Sequence, residues 1–240
     1  KKMKIAMLGL GKMGGNMSAR LIRNGISVVG YDNHPETVKK LEASENLIPS
    51  SSVEDAISKL EGQKIVWMML PAGDITKKQI ADLIPLLSEG DIIIDGGNSN
   101  FKQSVKMGRM LEEYNIGFMD CGTSGGVWGL DNGYCLMVGA SHEVAKAVEP
   151  ALRALAPTPQ KGWLHVGPVG SGHFTKMIHN GIEYGMMESV AEGLELLKGR
   201  EEFAIDVAKV TELWRHGSVV RSWLLDLTAE ALQSDQNLED

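Results

Sequence analysis

Short apolar runs rich in β-branched residues alternate with longer segments of helical periodicity over the first two thirds of the chain. Near-continuous apolar runs are typical of strands buried on both faces, and their alternation with helices favours a parallel, doubly wound sheet. Strands are predicted at Lys4–Leu8, Ser27–Tyr31, Lys64–Leu70, Asp91–Asp95, Gly117–Asp120, Tyr134–Val138 and Trp163–Val166. Helices are predicted at Met13–Asn24, Pro35–Ala43, Asp74–Leu87, Gln103–Tyr114 and His142–Leu155. The fold class is therefore predicted to be α/β.

The pattern changes after Pro168, beyond which no strand is predicted. We expect a boundary near Gly170, with an α/β domain over residues 1–169 and the start of an all-helical domain over residues 170–240. The predicted helices of this second part are one long helix from Ser171 to about Lys198 and two further stretches at Glu202–Trp214 and Val219–Leu232.

Composition narrows the class of protein. Of the 240 residues 43% are apolar and 23% are charged, which is typical of a globular protein. The net charge of −7 comes without a basic stripe, and apolar runs such as Ile65–Leu70 are far too short to span a bilayer. Two cysteines, Cys121 and Cys135, are too few for a disulfide framework or a zinc site. No secretory signal pattern precedes the first strand. We expect a cytoplasmic protein without a metal site that binds neither nucleic acid nor membranes.

A glycine-rich loop joins the first predicted strand to the first predicted helix. It fits the pattern G-x-G-x-x-G in the strand–loop–helix context that the pattern requires. The first glycine permits a tight turn, the second lets the backbone approach a pyrophosphate, and the third lets the helix pack against the strand. The free N–H groups of the helix then face the phosphates. The loop consists of Gly9, Leu10, Gly11, Lys12, Met13 and Gly14.

An acidic residue, Asp32, ends the second predicted strand. The number of residues between the glycine loop and Asp32 matches the position of the acid that binds the adenosine ribose in dinucleotide sites. A carboxylate there accepts hydrogen bonds from the 2′-hydroxyl and repels a 2′-phosphate, and the next residues, Asn33 and His34, provide no arginine to neutralise that phosphate. A helix cap before Pro35 is an alternative role that is compatible with ribose binding. The sequence predicts a dinucleotide site that prefers NAD, with NADP as the alternative.

Two further predicted strands end in loops that border the same crevice of a doubly wound sheet. The first loop contains Leu70, Pro71 and Ala72, and the second contains Asn98. The Asn98 amide both donates and accepts, so it suits a ribose, a nicotinamide or a substrate carboxylate. A plain turn is the alternative.

The segment from Cys121 to Gly129 is predicted to be a loop rich in small residues. Ser124, Gly125 and Gly126 offer a hydroxyl and exposed backbone N–H groups, which suit a carboxylate or a phosphate. A mobile linker is the competing interpretation.

The long predicted helix carries a polar stripe. Lys176, His179, Asn180, Glu183 and Tyr184 lie at i, i+3, i+4, i+7 and i+8, which is one face of a helix. A desolvated lysine beside a cofactor can act as a base, and a carboxyl on a later turn can act as the complementary acid.

The last predicted helix contains Arg221, whose guanidinium suits a phosphate. An arginine exposed on the surface is the alternative.

Four segments of the chain together resemble the 6-phosphogluconate dehydrogenase family. They are Gly9–Gly14, Asp95–Ser99, Ser124–Gly126 and, most specifically, Gly172–Tyr184. The resemblance covers nearly the whole chain. It implies oxidative decarboxylation of 6-phospho-D-gluconate to ribulose 5-phosphate in the pentose phosphate pathway, with reduction of NAD or NADP. It also implies a Rossmann-type domain, and the apolar-rich helical part suggests a homodimer or a higher homo-oligomer.

The resemblance also implies residue roles. Lys176 takes the proton of the 3-hydroxyl and later stabilises the enolate oxygen, and Glu183 protonates carbon 1 of the enediol. The residues implied to hold the sugar acid are Asn98, Ser124, Gly125, Gly126, His179 and Asn180, and those implied to hold its phosphate are Tyr184 and Arg221. The residues implied to hold the cofactor are those of the glycine loop together with Asp32, Asn33, His34, Leu70, Pro71, Ala72 and Asn98.

The chain departs from the family pattern in two respects. Members that use NADP have a small polar residue and an arginine where this chain has Asp32 and Asn33, so the chain is similar to the short, NAD-preferring forms. The family also continues beyond residue 240 with helices and a tail that completes the partner's site, so a C-terminally truncated form is expected. Two alternatives stay open: a β-hydroxyacid dehydrogenase that releases no carbon dioxide, and a dinucleotide-binding module without turnover.

Overall fold

The computed structural model describes residues 2–235 of the chain. The chain divides into two compact units, of which the first ends at Met177 and the second begins at Ile178. The domain boundary between residues 169 and 170 stays a prediction, and the last part of the predicted helical domain, residues 236–240, lies outside the described residues.

Mostly parallel β-strands form the first unit's sheet, as the apolar runs predict. The strands are β1 (Lys4–Leu8), β2 (Ser27–Tyr31), β3 (Ile48–Pro49), β4 (Ile65–Met68), β5 (Ile92–Asp95), β6 (Gly117–Ser124), β7 (Cys135–Ala140) and β8 (Trp163–Gly167). Within residues 2–235 they pair in the order β3-β2-β1-β4-β5-β6-β7-β8. The order reverses between β1 and β4, so the ligand-binding crevice of a doubly wound sheet is expected at that point.

Helices connect these strands and make up most of the second unit. The helices are α1 (Lys12–Arg23), α2 (Pro35–Glu45), α3 (Val53–Ser58), α4 (Asp74–Leu83), α5 (Phe101–Glu112), α6 (Gly129–Asn132), α7 (His142–Leu155), α8 (Ser171–Lys198), α9 (Val207–Trp214) and α10 (Trp223–Ser234). Short 3₁₀ turns lie at Ile84–Leu86, Gly126–Trp128 and Glu201–Phe203. No helix in the part of the chain that the structure describes is both long enough and apolar enough to cross a bilayer.

Alternate side chains of the central strands pack into two separate cores. Ile5 and Met7 of β1 belong to the core beneath α1 and α7, whereas Ala6 and Leu8 belong to the core on the opposite face of the sheet. All four side chains are almost completely buried. Burial on both faces explains why these strands are near-continuous apolar runs, and it confirms the predicted α/β class.

One pair of strands departs from the predicted parallel arrangement. Strand β7 runs antiparallel to β6, with Cys121 opposite Val138 and Ser124 opposite Cys135. The connection between them carries only a 3₁₀ turn and the single-turn helix α6. A parallel crossover needs a longer connection, usually a full helix, so this short one returns as an antiparallel neighbour.

Several boundaries differ from those predicted, and side-chain caps explain two of them. Helix α9 begins at Val207 because Asp206 accepts a hydrogen bond from the Lys209 N–H, and α10 begins at Trp223 because Ser222 accepts one from the Leu225 N–H. The two-residue strand β3 and the short helices α3 and α6 were not predicted from the sequence, since they are too short for a periodic pattern to show.

Arg20 on helix α1 ties three helices of the first unit together. Its guanidinium donates to the carbonyl oxygens of Leu155 and Ala156 at the end of α7, at 2.9 and 2.8 Å. It also donates to those of Leu130 and Asp131 in α6, at 3.0 and 3.3 Å. The last carbonyl groups of a helix have no partner within the helix, so Arg20 satisfies groups that need an external donor.

Replacing Arg20 with glutamine should therefore lower the free energy of unfolding. We expect a loss of about 1–3 kcal/mol because partly buried carbonyl groups lose their donors. Arg23→Gln is the matched control, since Arg23 lies on the same helix but only pairs with Glu45 near the surface. That change should cost less than about 1 kcal/mol. Urea denaturation of both variants makes the comparison, and equal losses would contradict the assigned role of Arg20.

Candidate active site

The glycine loop joins β1 to α1 at the carboxyl edge of the sheet. Gly9 has a φ of +90°, and a side chain there would collide with the carbonyl oxygen of Met69 on the loop after β4. A side chain at Gly14 would collide with the carbonyl oxygen of Gly9, so the third glycine of the pattern brings the helix against the loop. Both positions require glycine for the reasons that the sequence pattern predicts.

The start of helix α1 has no side-chain cap and leaves free space beside its backbone. Gly11 is the residue before the helix, and no side chain caps the first N–H groups. A Cβ atom added at Gly11 would meet nothing within 4 Å, so a ligand can approach the backbone closely there. These features fit the pyrophosphate of a dinucleotide, which free helix N–H groups and the helix dipole would bind.

Asp32 connects the glycine loop to the end of β2. Its carboxylate accepts hydrogen bonds from the Leu10 N–H at 2.7 Å and from the His34 N–H at 2.8 Å, and the His34 ring lies 3.0 Å away. Burial raises the pKa of Asp32, but these hydrogen bonds outweigh it and the net pKa is lowered. Asp32 is therefore an ionised carboxylate beside the loop, as a ribose ligand should be. The His34 side chain is largely exposed.

The loop after β4 lies beside the glycine loop, and the loop after β5 lies beside the loop after β4. A Cβ atom added at Gly9 would lie 3.0 Å from the Leu70 side chain, and the buried Asp95 accepts hydrogen bonds from the Gly97 N–H and the Ser99 hydroxyl at 3.0 and 2.5 Å. Asp95 thereby shapes the turn that presents Asn98. A cavity of about 320 Å³ opens here. Its lining includes Ala72, Gly73, Asp95, Asn98, Ser99 and Ser104.

Lys176, in the second turn of α8, reaches the turn after β5. Its Nζ donates a hydrogen bond to the Asn98 Oδ1 at 2.5 Å. Gly122 of strand β6 leaves the room for this, since an added Cβ there would lie 2.7 Å from the Lys176 Cβ. Two residues that the sequence places 78 positions apart are thus brought together by the fold. No sequence signal identified Gly122 as the residue that accommodates the lysine.

The first turn of α8 is fixed by an acid that sequence reasoning missed. Asp120 is fully buried and accepts hydrogen bonds from the Gly170 N–H at 2.6 Å and the His173 N–H at 2.8 Å. Burial raises its pKa, and the two N–H donors oppose that rise. In sequence Asp120 only marks the predicted end of a strand, and no cap pattern is visible because the acid lies 50 residues before its partner Gly170.

The segment predicted as a small-residue loop begins later than expected. Cys121 to Ser124 belong to β6, and the loop begins at Gly125, which has a φ of +133°. Pairing with β7 extends the strand, which the small residues obscured in the sequence. Ser124 therefore lies at a strand end, with Gly125 and Gly126 following it. Burial raises the pKa of the Cys121 thiol to about 12, which disfavours the thiolate form.

The second unit contains the other predicted site residues. His179 Nδ1 lies 3.0 Å from the Asn180 Oδ1 and 4.0 Å from the Glu183 carboxylate, so these three polar groups are adjacent. Tyr184 follows on the same helix and is 65% exposed. Arg221 precedes α10, where its backbone N–H donates to the Ser218 carbonyl oxygen.

Among residues 2–235 no group of three or more His, Cys, Asp or Glu side chains is arranged to hold a metal ion.

Family models match both parts of the chain. The model described as the NAD binding domain of 6-phosphogluconate dehydrogenase matches residues 4–167, and that of the C-terminal domain of the same enzyme matches residues 172–240.

Named relatives agree with these models. A Bacillus subtilis protein, itself named only provisionally as a 6-phosphogluconate dehydrogenase, is 44% identical over 99% of this chain and 78% of its own length. The NAD(+)-dependent, decarboxylating 6-phosphogluconate dehydrogenase of Haloferax volcanii is 40% identical over 97% of this chain and 76% of its own length. The chain spans only about half the length of other relatives, such as the Synechococcus elongatus enzyme, which is 37% identical.

Solved structures share the fold. A Plasmodium falciparum 6-phosphogluconate dehydrogenase, solved in its apo form and in complexes with NADP+ and 6-phosphogluconate, superposes with a TM-score of 0.88. It is 29% identical, and the match covers 95% of this chain and 50% of that one. A Mycobacterium tuberculosis 3-hydroxyisobutyrate dehydrogenase superposes with a TM-score of 0.80 at 23% identity, over 95% of this chain and 75% of that one, which shows a shared fold.

The lowered pKa of Asp32 gives a pH-dependent contribution to stability. A carboxyl whose pKa is lower in the folded state stabilises fully above its unfolded pKa, and that contribution is lost as pH falls through the folded pKa. We expect Asp32→Asn to reduce the free energy of unfolding more at about pH 7 than at about pH 3. Urea denaturation of both proteins at each pH measures this. A difference that is the same at both pH values would show that the Asp32 charge contributes nothing.

Proposed function

The chain belongs to the 6-phosphogluconate dehydrogenase family, and we propose that it catalyses the oxidative decarboxylation of 6-phospho-D-gluconate to ribulose 5-phosphate with reduction of NAD. We place this reaction in the pentose phosphate pathway of the cytoplasm, in a homodimer or higher homo-oligomer. The first unit would bind the cofactor and supply the base.

The observation that carries the proposal is the Lys176–Asn98 hydrogen bond. It holds an amine at the carboxyl edge of the sheet, beside the turn that Asp95 shapes and in the same unit as the glycine loop. A base for a hydroxyl must lie where a substrate can meet both the base and the hydride acceptor. The NH2 group of the Asn98 amide is a donor at that position, which suits a sugar hydroxyl or carboxylate.

The proposed reaction uses two residues of helix α8, Lys176 and Glu183. Neutral Lys176 takes the proton of the 3-hydroxyl at its Nζ. When bound, the nicotinamide supplies the acceptor for the hydride from carbon 3. The bond between carbons 1 and 2 of the 3-keto acid then breaks, carbon dioxide leaves, and the electron pair moves to the oxygen on carbon 3. The Lys176 ammonium stabilises this oxygen and donates its proton to it, which gives the enediol and neutral Lys176. Glu183 protonates carbon 1 of the product enediol, and the hydroxyl proton returns to Lys176, which gives ribulose 5-phosphate.

The remaining residues are proposed to bind the substrate. Asn98, Ser124, Gly125 and Gly126 in the first unit would hold the sugar acid through an amide, a hydroxyl and backbone N–H groups. His179 and Asn180 would contact the same acid, and Tyr184 and Arg221 would bind its phosphate. These second-unit roles follow from the family's sequence motif, and the exposed Tyr184 is available to a ligand.

The cofactor is proposed to be NAD. Asp32 is an ionised carboxylate at the end of β2, which favours the 2′-hydroxyl of NAD and repels the 2′-phosphate of NADP. Contacts with the cofactor are proposed for the glycine loop from Gly9 to Gly14, for Asn33 and His34, for Leu70, Pro71 and Ala72, and for Asn98. The NAD(+)-dependent Haloferax volcanii relative supports the same choice for this chain.

The purified protein tests the proposal directly. With 6-phosphogluconate we expect reduction of NAD to be faster than reduction of NADP, and Lys176→Ala should lower kcat by about 10²- to 10⁴-fold because the general base is lost. Asp32→Ala should reduce the preference for NAD by about tenfold or more, since the repulsion of the 2′-phosphate is removed. Absorbance of the reduced nicotinamide measures all of these rates.

Two outcomes would contradict the assignment. Full activity of Lys176→Ala would exclude the lysine as the base. A wild-type protein that reduces NADP alone would overturn the NAD preference. Lys146→Ala is the control substitution, because Lys146 is exposed on α7 and should leave all rates unchanged.

A further inference from the structure

Helix α5 and the start of α8 pack against each other through a regular series of contacts. An added Cβ at Gly108 would lie 2.8 Å from the Val169 side chain, and one at Gly170 would lie 2.5 Å from that of Val105. The rings of Phe101 and Phe174 meet edge to face, with centroids 5.0 Å apart. Residue numbers rise on one side of this series as they fall on the other, so the two segments run antiparallel. We call it the α5–α8 seam.

The Lys176–Asn98 hydrogen bond lies at the end of the seam that is nearest the start of α5. Asn98 precedes α5, and Lys176 lies two residues after Phe174. Because the lysine side chain is long and flexible, its position over the sheet edge depends on how firmly the backbone of α8 is held against α5. Apolar contacts alone permit small sliding movements of packed helices.

A buried polar pair fixes the register of the seam. The Ser104 hydroxyl lies 2.7 Å from the His173 Nδ1, and the two residues are 1% and 3% exposed. Hydrogen bonds are directional, so this pair permits one register where apolar side chains would permit several. The His173 N–H also donates to Asp120, which anchors the same turn of α8 to strand β6.

The ring of His173 is held through one nitrogen. Its Nε2 is buried without a hydrogen-bond partner among the described residues. A buried polar atom without a hydrogen-bond partner lowers the stability of the folded state. The Nε2 atom of His173 therefore does not stabilise the fold. An asparagine can place an amide group where the imidazole Nδ1 lies, and it lacks the second nitrogen.

We propose that Ser104 and His173 are positioning residues, which hold Lys176 against Asn98 by fixing the register of the α5–α8 seam. The inference rests on the proposed function, since Lys176 is the base in that reaction. Both side chains are almost completely buried in the seam. They act through the backbone of α8.

The test compares Ser104→Ala, His173→Leu and His173→Asn with the wild type. Reaction of Lys176 with an amine-reactive ester, followed by mass spectrometry, measures its accessibility relative to the exposed Lys146 in the same molecule. We expect the Lys176 to Lys146 labelling ratio to rise severalfold in Ser104→Ala and His173→Leu. We also expect kcat to fall about tenfold with the KM for NAD unchanged, because a misplaced base slows the chemical step. His173→Asn should restore both values.

Ser52→Ala is the matched control for a purely structural effect. Ser52 caps helix α3 by accepting the Asp55 N–H, so its loss lowers the Tm without touching the seam. Its labelling ratio and kcat should match those of the wild type.

Three results would overturn the proposal. One is a Lys176 labelling ratio in Ser104→Ala and His173→Leu that equals that of Ser52→Ala. Another is an unchanged kcat despite a raised ratio. A third is a His173→Asn variant that behaves like His173→Leu. If the wild type does not turn over 6-phosphogluconate, the proposed function fails, and the labelling ratio alone then decides the positioning role.

Discussion

The close approach of helix α8 to strands β6 and β7 is the constraint on which the candidate base depends. A side chain at Gly172 would collide with the carbonyl oxygens of Asp120 and Met137, so the helix starts directly on the strand backbones. Asp120 then accepts two N–H groups of that first turn from beneath. Because the backbone is held this tightly, Lys176 can cross Gly122 and reach Asn98.

The order of the strands explains why distant parts of the sequence meet at one edge. Strands β1, β4, β5 and β6 are neighbours, and their parallel arrangement puts all their carboxyl ends on the same side. The glycine loop, the Leu70 loop and the Asn98 turn therefore lie side by side. Asp32 joins this group because it accepts a hydrogen bond from the Leu10 N–H, which connects the end of the second strand to the glycine loop. The sheet thus supplies the cofactor crevice, and α8 adds the amine to its rim.

Sequence patterns predicted the strands and helices better than the long-range contacts that position the candidate site. Strands β1 and β2 and helix α7 have the predicted bounds, because burial on both faces and a clear helical period leave a strong local signal. Strand β7 was predicted, but its antiparallel direction was missed, since the apolar pattern of a buried strand is the same in either direction. Asp120, Gly122 and Ser104 were missed for a different reason. Each acts on a residue far along the chain, and only the folded sheet brings the two together.

Decarboxylation is the step that most directly tests the account of this site. Turnover of 6-phosphogluconate labelled with ¹⁴C at carbon 1 should release labelled carbon dioxide in equal amount to the NADH formed. That equality follows if the 3-keto acid loses its carboxylate beside the Lys176 ammonium. NADH formation without labelled carbon dioxide would contradict the account, and it would make the protein a β-hydroxyacid dehydrogenase that stops at oxidation.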